Sequence, residues 1–188
     1  MELCRNLFGS CFSARVVDYP GAGSAVAIGE QGAGATALCV EVLPSSGESW
    51  SGAFFAPDPM RPATTHVYGT PDPNGLCVVY RGSVFLGDAR VPESFHRVSI
   101  AGPVVDSTAV PESRILVLAT PWHVFAIGRG GILWRSARLA IDGIALEEAA
   151  QGLLRGTADS DTLGASGFEI VLDTGEVVVG GGRFRPGE

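Results

Sequence analysis

Apolar residues in this chain come in short runs, and the runs are closed by glycine. Residues 76–80 (Leu-Cys-Val-Val-Tyr) and 83–86 (Ser-Val-Phe-Leu) flank a turn at Gly82. Residues 124–127 and 132–135 flank Gly128-Arg129-Gly130-Gly131, and residues 168–172 and 176–179 flank Asp173-Thr174-Gly175. Glycine supplies the positive φ that a short hairpin loop demands. In the last pair Phe168, Ile170 and Leu172 share one face while Glu169 and Asp173 take the other, the period of two of a half-buried strand. The pattern predicts a mostly β chain: antiparallel hairpins and meanders forming a sandwich, a barrel or blade-like sheets, with little helix.

Two segments break the pattern. Residues 56–74 hold five prolines (Pro57, Pro59, Pro62, Pro71 and Pro73), which cannot donate to a ladder and predict an ordered but irregular crossover. The chain reads as one domain over 1–188, with this crossover as the candidate joint between two halves, 1–56 plus 75–115 and 116–188. Residues 144–154 (Ile-Ala-Leu-Glu-Glu-Ala-Ala-Gln-Gly-Leu-Leu) have helical propensity, but Gly143, Gly152 and Gly156 in and around them argue for a hairpin turning at residues 149–152. The hairpin is the stronger reading. A faint internal repeat also relates residues 42–57 to 171–186: an apolar strand, a Gly-Glu turn and Phe-x-Pro. Shared hairpin chemistry accounts for it better than duplication does.

Composition narrows the picture. Over 188 residues, 46% are hydrophobic, 18% charged, and there are 26 glycines and 12 prolines, so long helices are disfavoured. A chain of this length buries enough surface to fold without disulfides or metal. Mean hydropathy is positive, yet no run approaches the ~18 apolar residues of a spanning helix, and the first residues open no signal-peptide core. A soluble, cytoplasmic protein is expected. All 13 basic residues are arginine, a bias consistent with a GC-rich bacterial genome. The absence of lysine excludes Schiff-base chemistry and the lysines of P-loops and kinases. A net charge of −7 with no basic run argues against nucleic acid as a partner.

Residues 123–135 (His-Val-Phe-Ala-Ile-Gly-Arg-Gly-Gly-Ile-Leu-Trp-Arg) join an apolar strand, a glycine turn and a Leu-Trp pair. The segment resembles the strand–turn–strand of quinoprotein-type β-propeller blades, and about residues 122–172 can be traced as a meander of that kind. The resemblance implies blade-like sheets. It implies no cofactor, because a whole propeller needs at least about four blades of four strands, and no functional residue is carried over from it.

The catalytic inventory is thin. His66, His96 and His123 show no H-x-H or H-E-x-x-H spacing, so a metal site requires them to converge from separate strands. Cys4, Cys11, Cys39 and Cys77 form no C-x-x-C pair, and read as free, packed thiols. No G-x-S-x-G elbow occurs. Residues 32–37 match G-x-G-x-x-A, but a strand follows where dinucleotide binding needs a helix. Glu48 and Glu176 read as turn residues, and Glu147-Glu148 as a solvated edge.

What remains is the tryptophans beside cationic residues: Trp122-His123 and Trp134-Arg135. Tryptophan and arginine are enriched at binding hot spots, although a strand tryptophan also serves as a large core side chain, and Trp134 alternates with Ile132 in that way. Trp122, His123, Trp134 and Arg135 are therefore the candidate binding residues. No catalytic, metal or cofactor residue is assigned. The leading expectation is a non-catalytic domain that binds a protein partner, as an accessory, immunity or scaffold component. Its rivals are an enzyme or small-molecule binder using a cavity between sheets, with His96 or His123 and an acidic residue at its mouth, and a self-assembling module.

Overall fold

A computed structural model describes residues 4–18, 25–160 and 164–180. The chain divides into two compact units, Met1–Ile100 and Ala101–Glu188. Among the described residues the regular structure is strand throughout, apart from one 3-10 turn at Pro92–Ser94. The predicted fold class is the observed one: four mostly antiparallel sheets, none closed into a barrel.

The first unit holds two sheets. One has the order β1 (Cys4–Arg5), β6 (His66–Gly69), β7 (Gly75–Tyr80), β8 (Ser83–Asp88), β9 (His96–Arg97). The other has the order β2 (Phe12–Val17), β4 (Thr36–Pro44), β5 (Trp50–Ala56), β3 (Val26–Ile28). Alternate residues of both sheets meet in one core that includes Phe12, Val40, Phe54, Val67, Leu76 and Phe85. Pairing is antiparallel except at two edges, where β1 joins β6 and β3 joins β5 in parallel. The proline-rich segment lies inside this unit and contains β6.

The second unit is two consecutive meanders, β10 (Asp106–Val110), β11 (Ile115–Ala119), β12 (Val124–Gly128), β13 (Gly131–Arg135), then β14 (Ile144–Ala150), β15 (Leu153–Ser160), β16 (Gly164–Val171), β17 (Val177–Val179). Their core includes Val117, Ala126, Trp134, Leu154, Phe168 and Ile170. A carboxylate crosses between the two sheets: Leu146 N–H donates to Asp106 Oδ2 at 2.8 Å.

Residues 144–154 form the predicted hairpin, with Gln151 (φ 53) and Gly152 (φ 78) both left-handed. Arg81 (φ 48) and Gly82 (φ 75) repeat that arrangement between β7 and β8. Both are turns of type I′, whose twist matches that of the flanking strands. Of the suggested repeat, residues 42–57 fall on the β4–β5 hairpin, while Phe184 and Pro186 lie outside the described residues. No helix among the described residues is long and apolar enough to cross a membrane.

Candidate functional site

A single extra residue on β13 separates the candidate binding residues. Arg135 and Trp134 pair with Phe125 and Ala126, but Ile127 pairs with Ile132, leaving Leu133 as a bulge. Ile132 and Trp134, two apart in sequence, therefore do not share a face. Trp134 turns into the core beside Ala126, where it is 8% exposed, and its indole N–H donates to the Leu172 carbonyl at 2.6 Å. Ile132 and Leu133 are left 45% and 57% exposed. Arg135 emerges on the face of Phe125.

On that face Arg135 Nη2 donates to His123 Nε2 at 2.9 Å, and its guanidinium lies 5.8 Å from the Phe125 ring centroid. The His123 ring meets the same phenylalanine edge-on at 6.3 Å. Accepting from a guanidinium requires Nε2 to be unprotonated, so His123 is the neutral tautomer with its proton on Nδ1. Burial, then the Arg135 charge beside it, hold the imidazole below its ordinary pKa. The backbone of Ser136 and Ala137 pulls weakly the other way, although buried Nδ1 has no partner of hydrogen-bond geometry.

Two side chains that the sequence did not single out hold this arrangement. Thr120 Oγ1 accepts from His123 N–H at 3.1 Å, while Thr120 N–H donates to the His123 carbonyl at 2.9 Å. Ser136 Oγ accepts from Val124 N–H at 3.0 Å and donates to the Ala137 carbonyl at 2.7 Å. Both are buried hydroxyls at strand ends, where Ser and Thr cap main-chain groups. That preference is the one signal in the sequence that could have marked them. Trp122 adjoins this arrangement through its main chain, its N–H donating to Thr120 Oγ1 at 3.4 Å. It is half-buried and packs against Gly102, where a Cβ would come within 2.7 Å of its ring.

Arg135, like Arg5, Arg97 and Arg114, differs from the arginines that form ion pairs. Arg81 pairs with Asp58, Arg90 with Asp88, Arg15 with Glu41, and Arg155 with both Glu148 and Glu169. Among the described residues no carboxylate lies within ion-pair distance of Arg135. Its exposed fork keeps donors that neither His123 nor Phe125 uses. The cluster can bind an anionic or carbonyl group.

The other candidates lie elsewhere. His66 and His96 stand on β6 and β9, with β7 and β8 between them. No group of three or more His, Cys, Asp or Glu among the described residues could hold a metal ion. No disulfide joins any of the four cysteines. Cys77 is buried, and burial pushes its thiol pKa far up; Cys4 and Cys39 are half-buried. Cys11 corrects the expectation of four packed thiols, because it lies exposed just ahead of β2. The chain matches no protein-family model and no curated protein.

Proposed function

We propose that this is a non-catalytic bacterial β domain of the cytoplasm that acts by binding a protein partner, as an accessory, immunity or scaffold component, and that Arg135 is its anchor. The observation that carries the reading is the state of this arginine. It is exposed, has no carboxylate partner among the described residues, and is held by Phe125 and His123 rather than free to sample rotamers. A guanidinium ordered before binding loses less entropy on binding, and arginine is among the residues that dominate interface energies. Exposed Ile132 and Leu133 on the same strand supply apolar surface beside it. The net charge of −7 and the lack of a basic run favour a protein over a nucleic acid.

The test compares the wild-type chain with Arg135→Ala in quantitative affinity capture from bacterial lysate, with melting temperature as the control. A stoichiometric partner held by the wild type and lost about thirtyfold in the variant, at unchanged melting temperature, is the expected result. Equal retention by both chains, or no partner together with turnover of a small molecule, overturns it.

A further inference from the structure

We propose that the Arg135–His123 pair receives an acidic side chain of the partner protein, and that His123 Nε2 takes up a proton from solvent as the carboxylate seats. This rests on Arg135 being the anchor, and adds what the anchor holds and how acidity governs it. In the empty site Arg135 Nη2 donates to His123 Nε2 at 2.9 Å, so that nitrogen offers a lone pair. The other ring nitrogen, Nδ1, is enclosed and carries the proton of the neutral ring. Titration is therefore confined to Nε2, the nitrogen that faces the exposed guanidinium.

The charges around the ring favour a carboxylate over a neutral carbonyl. From β13 the charged group acting on His123 is Arg135, and from the segment after β13 it is Arg138, whose guanidinium donates to the Ala140 and Ile141 carbonyls. The β11–β12 turn contributes Thr120 and β12 contributes Phe125, both uncharged. Both charges are therefore positive, and together with burial they keep the empty imidazole neutral. A planar carboxylate also matches the paired N–H groups of a guanidinium, where a carbonyl offers one oxygen. Exposed Ile132 and Leu133 on the same strand suit chain on both sides of the acid, which a side chain provides and a chain end does not.

As the carboxylate seats, Arg135 Nη2 turns from Nε2 to one of its oxygens. Nε2 gains a proton from water, and the new N–H donates to the other oxygen. One N–H···N bond is exchanged for two charge-assisted bonds, and the net change is one proton taken from solvent. Linkage fixes the sign. The carboxylate raises the proton affinity of His123, so protons raise the affinity for the carboxylate by the same factor. Affinity is lowest, and constant, above the imidazole pKa of the filled site. It rises as pH falls towards the pKa of the empty site, which lies below the ordinary 6.5. A neutral carbonyl brings no charge and shows no such dependence.

The probes are acetyl-Leu-Glu-Leu-amide and its neutral analogue acetyl-Leu-Gln-Leu-amide, titrated into the isotope-labelled full chain while the His123 ring is followed by NMR. Measurements at about pH 5.5 and about pH 8 both keep the glutamate ionised. The Glu peptide should bind about threefold or more tighter at the lower pH and move the His123 titration upward; the Gln peptide should do neither. His123→Gln keeps an oxygen that can accept from Arg135 but cannot titrate, and should hold the Glu peptide equally at both pH values. The wild-type ring titration is read without any variant, so the test does not depend on how His123→Gln folds. Equal binding of the two peptides, abolished by Arg135→Ala, overturns the carboxylate and leaves Arg135 an anchor for carbonyls. No Glu-peptide binding at millimolar concentration, an unmoved His123 titration, or a pH dependence that survives in His123→Gln also overturns it, while lysate capture judges the anchor separately. So does a response only to inorganic phosphate, or only to acetyl-Leu-Gln-Leu with a free carboxyl terminus.

Discussion

Each unit is pinned across its two sheets by one indole, and the two indoles are seated in different ways. In the first unit Trp50 on β5 donates to the Ala89 carbonyl beyond β8 at 2.7 Å. In the second, Trp134 on β13 donates to the Leu172 carbonyl beyond β16 at 2.6 Å. Trp50 is half-buried within a chain of rings: its centroid lies 5.5 Å from Phe95, which lies 5.5 Å from Phe54, which lies 5.6 Å from Phe85. Trp134 is almost fully buried and rests on Gly175, where a Cβ would come within 2.7 Å of the indole. A ring in a cluster of rings can shift and keep part of its contact. Trp50 also abuts a glycine, Gly52, where a Cβ would come within 2.9 Å of it, so what separates the two indoles is burial: the exposed edge of Trp50 leaves it room to shift, and enclosed Trp134 has little.

The largest expected effect sharpens that contrast. Trp134→Ala should cost about 3–5 kcal/mol in urea unfolding, through lost burial, a cavity and an orphaned Leu172 carbonyl. Trp50→Ala, starting half-exposed with aromatic neighbours able to close in, should cost less. Equal losses would break the comparison. Next in size are the glycines beneath the rings. Gly175→Ala meets both the indole and a φ of +74°, and should lower stability by about 1–3 kcal/mol. Gly87→Ala places a Cβ 2.5 Å from the Phe95 ring but requires no left-handed backbone, so a small tilt of that ring can relieve it. Its loss should be the smaller of the two in the same assay.

The smallest effect concerns His123, beside the Trp134 strand. Its pKa lies below the ordinary value of 6.5 when folded, so the unfolded chain binds the proton more readily. The stability this residue contributes is therefore complete above about pH 6.5 and is lost as pH falls through the folded-state pKa. Arg135→Gln removes one of the two main causes of the shift, and an NMR titration of the His123 ring should move towards 6.5 in that variant. An unchanged titration would show that burial alone sets it.

Much of the fold was legible because hairpin chemistry is local. The turns at Gly82 and Gly152 sit where glycine can take positive φ, and Phe168, Ile170 and Leu172 are buried together as their spacing of two required. The candidate site was legible only in part. His123 and Arg135 do meet, but no local pattern announces that a bulge at Leu133 will turn Trp134 inward and Arg135 outward. Periodicity alone placed Ile132 and Trp134 on one face, and one extra residue undid it. The parallel edges β1–β6 and β3–β5 leave no local signature either, since β1 and β3 are only two and three residues long and their partners are far along the chain.

By itself the sequence determined that the chain is built from strands, where most hairpins turn, and that it lacks lysine chemistry. Those properties follow from glycine placement, an apolar period of two and composition, each of which acts within a few residues. Tertiary structure alone decided which indole crosses to which carbonyl, and that Arg135 meets His123 and Phe125 rather than a carboxylate. Such outcomes depend on register and on sheet order between residues tens of positions apart, where one inserted residue or one edge pairing reverses the face a side chain presents.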